Sequence, residues 1–283
     1  MSAPPTGHTA VYAVLGHPVG RSASPGLMNA VFTAWGVDAV YVALPVEPAL
    51  AAGVGPALRA LGLAGANLTV PLKEAVLPAL DALGPAAEAA GAANCVVREG
   101  GRLIGHNTDG DGFLDALAAD GLADVRGATA VLLGAGGAAR AVGAALLRAG
   151  VGRLWVLNRS PDRAVGLAAA WNARFPGHRA QGGPLDTATF AAAATGAHLV
   201  AHLSAAGGPA ALPALPVERL APGARWVDTN YWDPAPPLAE AVRAAGHRFL
   251  DGHGMFVGQA ARSLEHFLGR RPPLDWLRGM LGR

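Results

Sequence analysis

The stretch that most constrains this chain is Ala130-Val131-Leu132-Leu133, followed at once by Gly134-Ala135-Gly136-Gly137-Ala138-Ala139-Arg140. A short apolar run reads as a buried strand. It leads into a glycine-rich turn, and a helical stretch continues to Ala149. Strand, tight turn and helix in that order form the phosphate-binding end of a βαβ unit. Gly134 permits the turn. Gly136 removes a side chain where a pyrophosphate approaches. Ala139 stands at the third glycine position, which accepts alanine. The helix behind the turn offers unpaired N–H groups and a partial positive charge to an anion. A chain containing this unit lays down parallel strands with helices between them.

The rest of the sequence fits that frame. Candidate strands are Val11–Leu15, Val40–Leu44, Gly65–Leu68, Asn94–Arg98 and Arg102–Gly105 in the first part. They continue as Ala130–Leu133, Leu154–Leu157, Leu199–His202, Trp226–Asp228 and Arg248–Leu250. Ala/Leu-rich helical stretches separate most of them, which argues for an α/β fold with mostly parallel strands. Ser24-Pro25 reads as an N-cap and a first-turn proline opening a helix through Trp35. A helix is expected over Gly112–Ala119, and two more from His253, the second beginning near Pro273. Gly207–Pro216, rich in Gly, Pro and Ala, reads as a mobile loop. A boundary falls near Asn107–Gly110. With 283 residues, 52% of them hydrophobic and 15% charged, the chain can fill two cores. The expected division is 1–108 with 253–283, and 109–252.

Charge and cysteine content exclude several classes of function. The net charge is +2, with no basic tract and no aromatics interleaved with basic residues. Nucleic acid is therefore not the expected partner. The single cysteine, Cys95, allows neither an internal disulfide nor a cysteine zinc site. No metal is expected, and His106 and His253 are given no catalytic role. Met1–Thr9 lacks a secretory pattern, and Gly, Pro or Arg interrupts every apolar stretch before it could span a bilayer. A soluble cytoplasmic protein is expected.

The second strand of the nucleotide unit selects the cofactor. Leu154-Trp155-Val156-Leu157 ends in Asn158-Arg159-Ser160, and Arg163 follows one helical turn later. An NAD site usually carries an acid here for the ribose 2′-hydroxyl. Arg159 takes that place, and a guanidinium suits a 2′-phosphate through paired donors and a full charge. The expected cofactor is NADP(H).

Lys73 is the only lysine; the other 21 of the 22 basic residues are arginine. Arginine supplies charge, but only an ammonium can pass a proton on. Lys73 closes Asn67-Leu68-Thr69-Val70-Pro71-Leu72-Lys73. Three more polar clusters are Ser22-Ala23-Ser24-Pro25, Asn94, and Asn107-Thr108-Asp109-Gly110. Singly, each has a local explanation as a cap, a strand end or an Asx turn.

Together these segments resemble the shikimate dehydrogenase family over almost the whole chain. The matches are S-x-S-P at Ser22 and Ser24, N-x-T-x-P-x-K at Thr69 and Lys73, Asn94, and N-T-D-G at Asp109. Tyr231, and Gln259 within Gly254–Ala260, complete the set. The resemblance implies NADPH-dependent, reversible reduction of 3-dehydroshikimate to shikimate, on the route to aromatic amino acids. Lys73 and Asp109 would be the acid–base pair. Ser22, Ser24 and Tyr231 would bind the substrate carboxylate, and Thr69, Asn94 and Gln259 would read the ring hydroxyls. Gly134, Ala135, Gly136, Gly137, Ala138, Arg140, Asn158, Arg159, Ser160, Arg163 and Gly252 would hold NADP. The implied fold is an N-terminal α/β substrate domain and a Rossmann-type NADP-binding domain, with C-terminal helices returning to the first. Small-molecule substrates are the expected partners, and a monomer or homodimer the expected state.

The chain departs from the family pattern at one informative place. His202-Leu203-Ser204-Ala205-Ala206-Gly207 stands where N-A-T-S-x-G is usual. In the family this segment runs beside the nicotinamide, so its change bears on cofactor affinity or orientation. Pro236-Pro237 also replaces a usual Thr-Pro. Two alternatives stay open: a paralogue acting on quinate or an amino-substituted analogue, and a catalytically silent NADP-binding regulatory protein.

Overall fold

The computed structural model describes residues 4–177, 179–204, 212–231 and 236–282. The chain forms two compact units, Met1–Gly112 with Val257–Arg283, and Phe113–Phe256. The first contains β1 (Ala10–Gly16), α1 (Ser24–Trp35), β2 (Ala39–Pro45), α2 (Val54–Ala60), β3 (Gly65–Leu68) and α3 (Leu72–Ala75). It continues with β4 (Ala82–Leu83), α4 (Pro85–Ala90), β5 (Cys95–Glu99) and β6 (Arg102–His106). Helix α5 (Asp109–Ala119) carries the chain into the second unit. There follow β7 (Thr129–Leu133), α6 (Gly137–Arg148), β8 (Arg153–Asn158), α7 (Pro161–Arg174), β9 (Arg179–Pro184) and α8 (Thr187–Ala194). Then come β10 (Leu199–His202), β11 (Arg225–Asp228), α9 (Pro237–Ala244) and β12 (Arg248–Leu250). Helix α10 (His253–Leu268) returns the chain to the first unit, where α11 (Leu274–Met280) ends it.

The sheet of the second unit runs β12-β11-β10-β7-β8-β9, with every pair parallel. Strand β7 shows why its sequence is continuously apolar. Ala130 and Leu132 face a layer containing Val142 and Leu146 of α6, while Val131 and Leu133 face Phe190 and Trp226. A central parallel strand is covered on both faces, so it cannot alternate apolar with polar residues. The first unit's sheet runs β2-β1-β3-β5-β6-β4 and is mixed, because β5 pairs antiparallel with both β3 and β6. Its core joins Ala13, Leu15, Ala66, Leu68 and Val96 to Leu58 of α2 and Leu72 of α3. The C-terminal helices pack on this unit. Phe267 tilts against Tyr12 at 4.8 Å, and Trp276 stacks on Trp35 at 5.8 Å.

Three details differ from the sequence reading. Ser24 is the first residue of α1, behind Ala23 as N-cap, and the amide of Ser24 donates to Ser22 Oγ at 3.3 Å. The hydroxyl of Ser24 therefore has no capping duty. Helix α5 begins at Asp109 rather than Gly112, with Asn107 Oδ1 accepting from the Asp109 amide at 3.1 Å. Strand β9, Arg-Ala-Gln-Gly-Gly-Pro, carries no strand signal in its sequence. Its glycine has a spatial cause: a Cβ on Gly182 would lie 2.3 Å from the carbonyl oxygen of Ala164 in α7. Residues 207–211 of the expected mobile loop lie outside the described residues.

The His106–His266 pair couples this fold to pH. The two rings stack with centroids 3.8 Å apart. Burial, reinforced by the neighbouring His266, pushes the His106 imidazole down to about 4, against a smaller opposing effect of Glu99. Burial also lowers His266, with Arg262 adding to the shift and Glu265 opposing it. An unfolded imidazole takes its proton near pH 6.5, and folded His106 does so only near 4. Between those values the unfolded chain binds more protons, so stability falls as pH falls. His106→Phe keeps a stacking ring and removes the titration. It is expected to flatten the decline of Tm between pH 6.5 and 5, and a thermal-melt series showing the parental slope would refute this.

Candidate active site

The first unit gathers its polar candidates around Asp109. The Asn107 side chain donates to the Ala92 carbonyl at 2.8 Å and accepts the Asp109 amide, which fixes the first turn of α5. Lys73, on α3, donates Nζ to Asp109 Oδ2 at 2.5 Å. Asn94, just before β5, donates Nδ2 to Asp109 Oδ1 at 2.7 Å and to Thr108 Oγ1 at 3.0 Å. Both carboxylate oxygens are thus held. Side-chain exposure is 13% for Lys73 and 7% for Asp109, so the pair is largely screened from bulk water. The carbonyl of Lys73 accepts from the Ala93 amide at 2.8 Å, which ties α3 to the segment leading into Asn94.

Thr69 sits at the end of β3, its amide donating to the Leu15 carbonyl at 2.9 Å. Gly16 lies against it so closely that a Cβ would fall 2.2 Å from Thr69 Cγ2. Behind these residues runs a buried relay that sequence reasoning missed. Tyr41 donates its hydroxyl to Asn67 Oδ1 at 2.8 Å, and Asn67 Nδ2 donates to Ser263 Oγ at 2.8 Å. Ser263 Oγ lies 3.3 Å from Thr108 Oγ1. Burial pushes the Tyr41 phenol well above its usual range, so it remains a donor. The neighbouring Ser24 opposes that shift. Burial pushes the Cys95 thiol up to about 12, with Ser263 opposing the shift and Asp109 adding to it, so it is no nucleophile at neutral pH. One signal could have found Ser263: it lies four residues after Gln259, on the same face of α10. Gln259 itself lies against α5, where a Cβ on Gly112 would fall 2.4 Å from its amide nitrogen.

In the second unit, Gly134 follows β7 with φ of +118°, in the region that favours glycine. A Cβ built on Gly136 meets nothing within 4 Å, so the backbone there faces open space. Gly137 and Ala138 begin α6, and Ala139, the next residue of the helix, is fully buried. These features fit a pyrophosphate approaching the turn between Gly134 and Arg140. Asn158 ends β8 and donates to the Ser160 carbonyl at 3.1 Å. Arg159, Ser160 and Arg163 are exposed around the start of α7. Gly252 is a spacer, since a Cβ would lie 2.4 Å from the Thr229 carbonyl oxygen. Tyr231 packs its ring on Phe256 at 5.0 Å and near His253 at 5.7 Å. Among the described residues, no three His, Cys, Asp or Glu form a metal cluster, and no helix is long and apolar enough to cross a membrane.

Comparison with known proteins agrees across the chain. Residues 14–96 match the shikimate dehydrogenase substrate binding domain, 116–180 the shikimate / quinate 5-dehydrogenase model, and 252–275 the shikimate 5'-dehydrogenase C-terminal domain. The shikimate dehydrogenase (NADP(+)) of Geobacter sulfurreducens is 38% identical over 98% of both chains. The Listeria monocytogenes shikimate 5-dehydrogenase, solved with shikimate and NAD, superposes with a TM-score of 0.87 at 30% identity, covering 99% of both chains. The Thermus thermophilus shikimate 5-dehydrogenase, solved with NADP(H) and shikimate, gives 0.82 at 35% identity, covering 97% of this chain and 99% of that one. Two α/β units, a glycine turn open to a pyrophosphate and full-length identity of this order all agree: the chain belongs to the shikimate dehydrogenase family.

Proposed function

We infer that this protein catalyses the reversible NADP-dependent reduction of 3-dehydroshikimate to shikimate. The observation that carries the reading is Lys73, the one lysine of the chain, bonded at 2.5 Å to a carboxylate whose other oxygen is held by Asn94. Reduction of a ketone puts negative charge on its oxygen, which must then gain a proton. Lys73 Nζ is the donor in that direction, and it accepts the alcohol proton in the other. Asp109 orients the ammonium. Asn94 has both amide hydrogens engaged, by Asp109 and Thr108, and so acts first to hold the carboxylate. Ser22 and Ser24 offer hydroxyls to the substrate carboxylate, and Thr69 and Gln259 read ring hydroxyls. Tyr231 is assigned to the carboxylate by resemblance.

Bound NADPH supplies the hydride. The turn Gly134–Arg140 holds its pyrophosphate, with Ala135, Gly137 and Ala138 lending backbone at the start of α6. Asn158, Arg159, Ser160 and Arg163 take the adenosine ribose and its 2′-phosphate. Mixing purified protein with NADP⁺ or NAD⁺ and with shikimate or quinate, and following the absorbance of reduced nicotinamide, tests the reading. Rapid reduction of NADP⁺ with shikimate is expected. Activity chiefly with quinate or NAD⁺ would assign the chain to a paralogous reaction. NADPH binding without turnover in any pairing would make it a silent module.

A further inference from the structure

The C-terminal ends of β10 and β11 carry a second polar relay, which the mechanism above does not use. His202, the last residue of β10, is fully buried. Its Nδ1 lies 3.1 Å from Asp228 Oδ2, and its Nε2 lies 2.8 Å from Ser204 Oγ. The other oxygen of Asp228 accepts from the Asn230 amide at 2.9 Å and from its Nδ2 at 2.7 Å. Thr229 donates both its amide and its hydroxyl to the His202 carbonyl, at 3.1 and 2.9 Å.

The chemistry of the groups sets the direction of this relay. A carboxylate only accepts, so the hydrogen of the neutral imidazole lies on Nδ1. Nε2 is then an acceptor, and Ser204 must point its single hydrogen inward at it. The lone pairs of Ser204 Oγ are left facing away from the ring. A hydroxyl that would otherwise rotate freely has become an acceptor of fixed direction.

The fold places that acceptor. The Leu203–Ser204 backbone lies against the glycine turn, and a Cβ on Gly134 would fall 3.2 Å from the Ser204 nitrogen. Gly134 follows β7, which has β10 on one flank and β8 on the other. The strand order reverses there, and dinucleotides lie across that crevice. The start of α6 takes the pyrophosphate, and the end of β8 takes the adenosine half. The nicotinamide half is left to the β10 side, where Ser204 stands. The carboxamide nitrogen of that half can only donate, whereas a ribose hydroxyl can turn to do either.

We propose that His202, held by Asp228, is a positioning residue that fixes Ser204 Oγ as the acceptor for the carboxamide N–H of the nicotinamide. The proposal rests on the NADP reading of this site. Binding measurements test it with three ligands: NADP⁺, its 3-acetylpyridine analogue, in which methyl replaces the amide nitrogen, and 2′-phospho-ADP-ribose, which lacks the ring. The parent protein should bind NADP⁺ about fivefold to tenfold more tightly than the analogue, the scale of one hydrogen bond. Ser204→Ala and His202→Gln should each lose that preference and keep parental affinity for 2′-phospho-ADP-ribose. Ser204→Thr, which retains the hydroxyl, should restore it. Should His202→Gln fail to fold, the alanine and threonine variants still decide whether Ser204 is the acceptor. An unchanged preference in Ser204→Ala would overturn the proposal, as would a preference kept by folded His202→Gln. Asp, His and Ser in this order also form hydrolase triads. Labelling of Ser204 by a fluorophosphonate, with cofactor affinity unaltered in Ser204→Ala, would replace the proposal with a nucleophilic role. Failure of the parent to bind 2′-phospho-ADP-ribose would remove the NADP reading and the proposal with it.

Discussion

Lys73→Met lowers kcat for shikimate oxidation by about 10²–10⁴-fold, the range that a positioned acid–base group supplies. Methionine nearly fills the space of the lysine stem and takes away the ammonium. The Asn94 amide still holds Asp109 Oδ1, so the first turn of α5 keeps its anchor on that side. NADP⁺ affinity is expected to stay near the parental value, which separates lost chemistry from a lost fold, while Tm falls because the buried Asp109 carboxylate loses its cation. Lys73→Arg is the sharper control. It preserves the charge beside Asp109, but a guanidinium does not give up its proton in a protein. If charge alone mattered, Lys73→Arg would recover most of the rate. If the proton matters, it is nearly as slow as Lys73→Met. Steady-state rates close to the parent's in both variants would remove Lys73 from the mechanism.

The sequence shows Lys73 as unusual, and its partner lies 36 residues away. No periodicity connects α3 to the start of α5, so the pairing was reachable only through the family resemblance. The same limit explains Tyr41 and Ser263. Tyr41 lies in the apolar strand β2 and Ser263 in a helix with several other polar residues, so neither stands out until β2, β3 and α10 converge on Asn67. Local signals did better where one element carries the whole argument. The continuous apolar run of β7 followed by Gly134 and Gly136 specifies a covered parallel strand and an open turn without outside help. Strand β9 fails for the opposite reason. Its Gln-Gly-Gly-Pro sequence is chosen to let α7 approach the sheet, and that close contact leaves no mark in strand propensity. The replacement at His202 is visible in sequence as a departure, but its consequence is not. Asp228 lies on the neighbouring strand, and only the parallel register of β10 and β11 places it opposite His202.

Arg159 and Arg163 follow β8, on the opposite side of β7 from β10, and are the place to test how the cofactor is chosen. Replacing both with alanine is expected to raise the Kd for NADP⁺ by roughly 10²-fold, as two charge-assisted contacts of about 1.5 kcal/mol each would give. The lower end of the range applies because both side chains are exposed at the start of α7, where water competes for the guanidinium. NAD⁺ carries no 2′-phosphate, so its Kd should hardly move. The difference between the two cofactors, and not the absolute loss, is the measured quantity. Salt gives a second reading of the same contact. Screening weakens an exposed ion pair, so raising ionic strength should weaken NADP⁺ binding to the parent more than to the double variant. Arg159→Asp should go further, since a carboxylate repels the phosphate and can accept from a free ribose hydroxyl. Equal losses for NADP⁺ and NAD⁺ in the alanine double variant would mean that the two arginines support the loop without reading the phosphate.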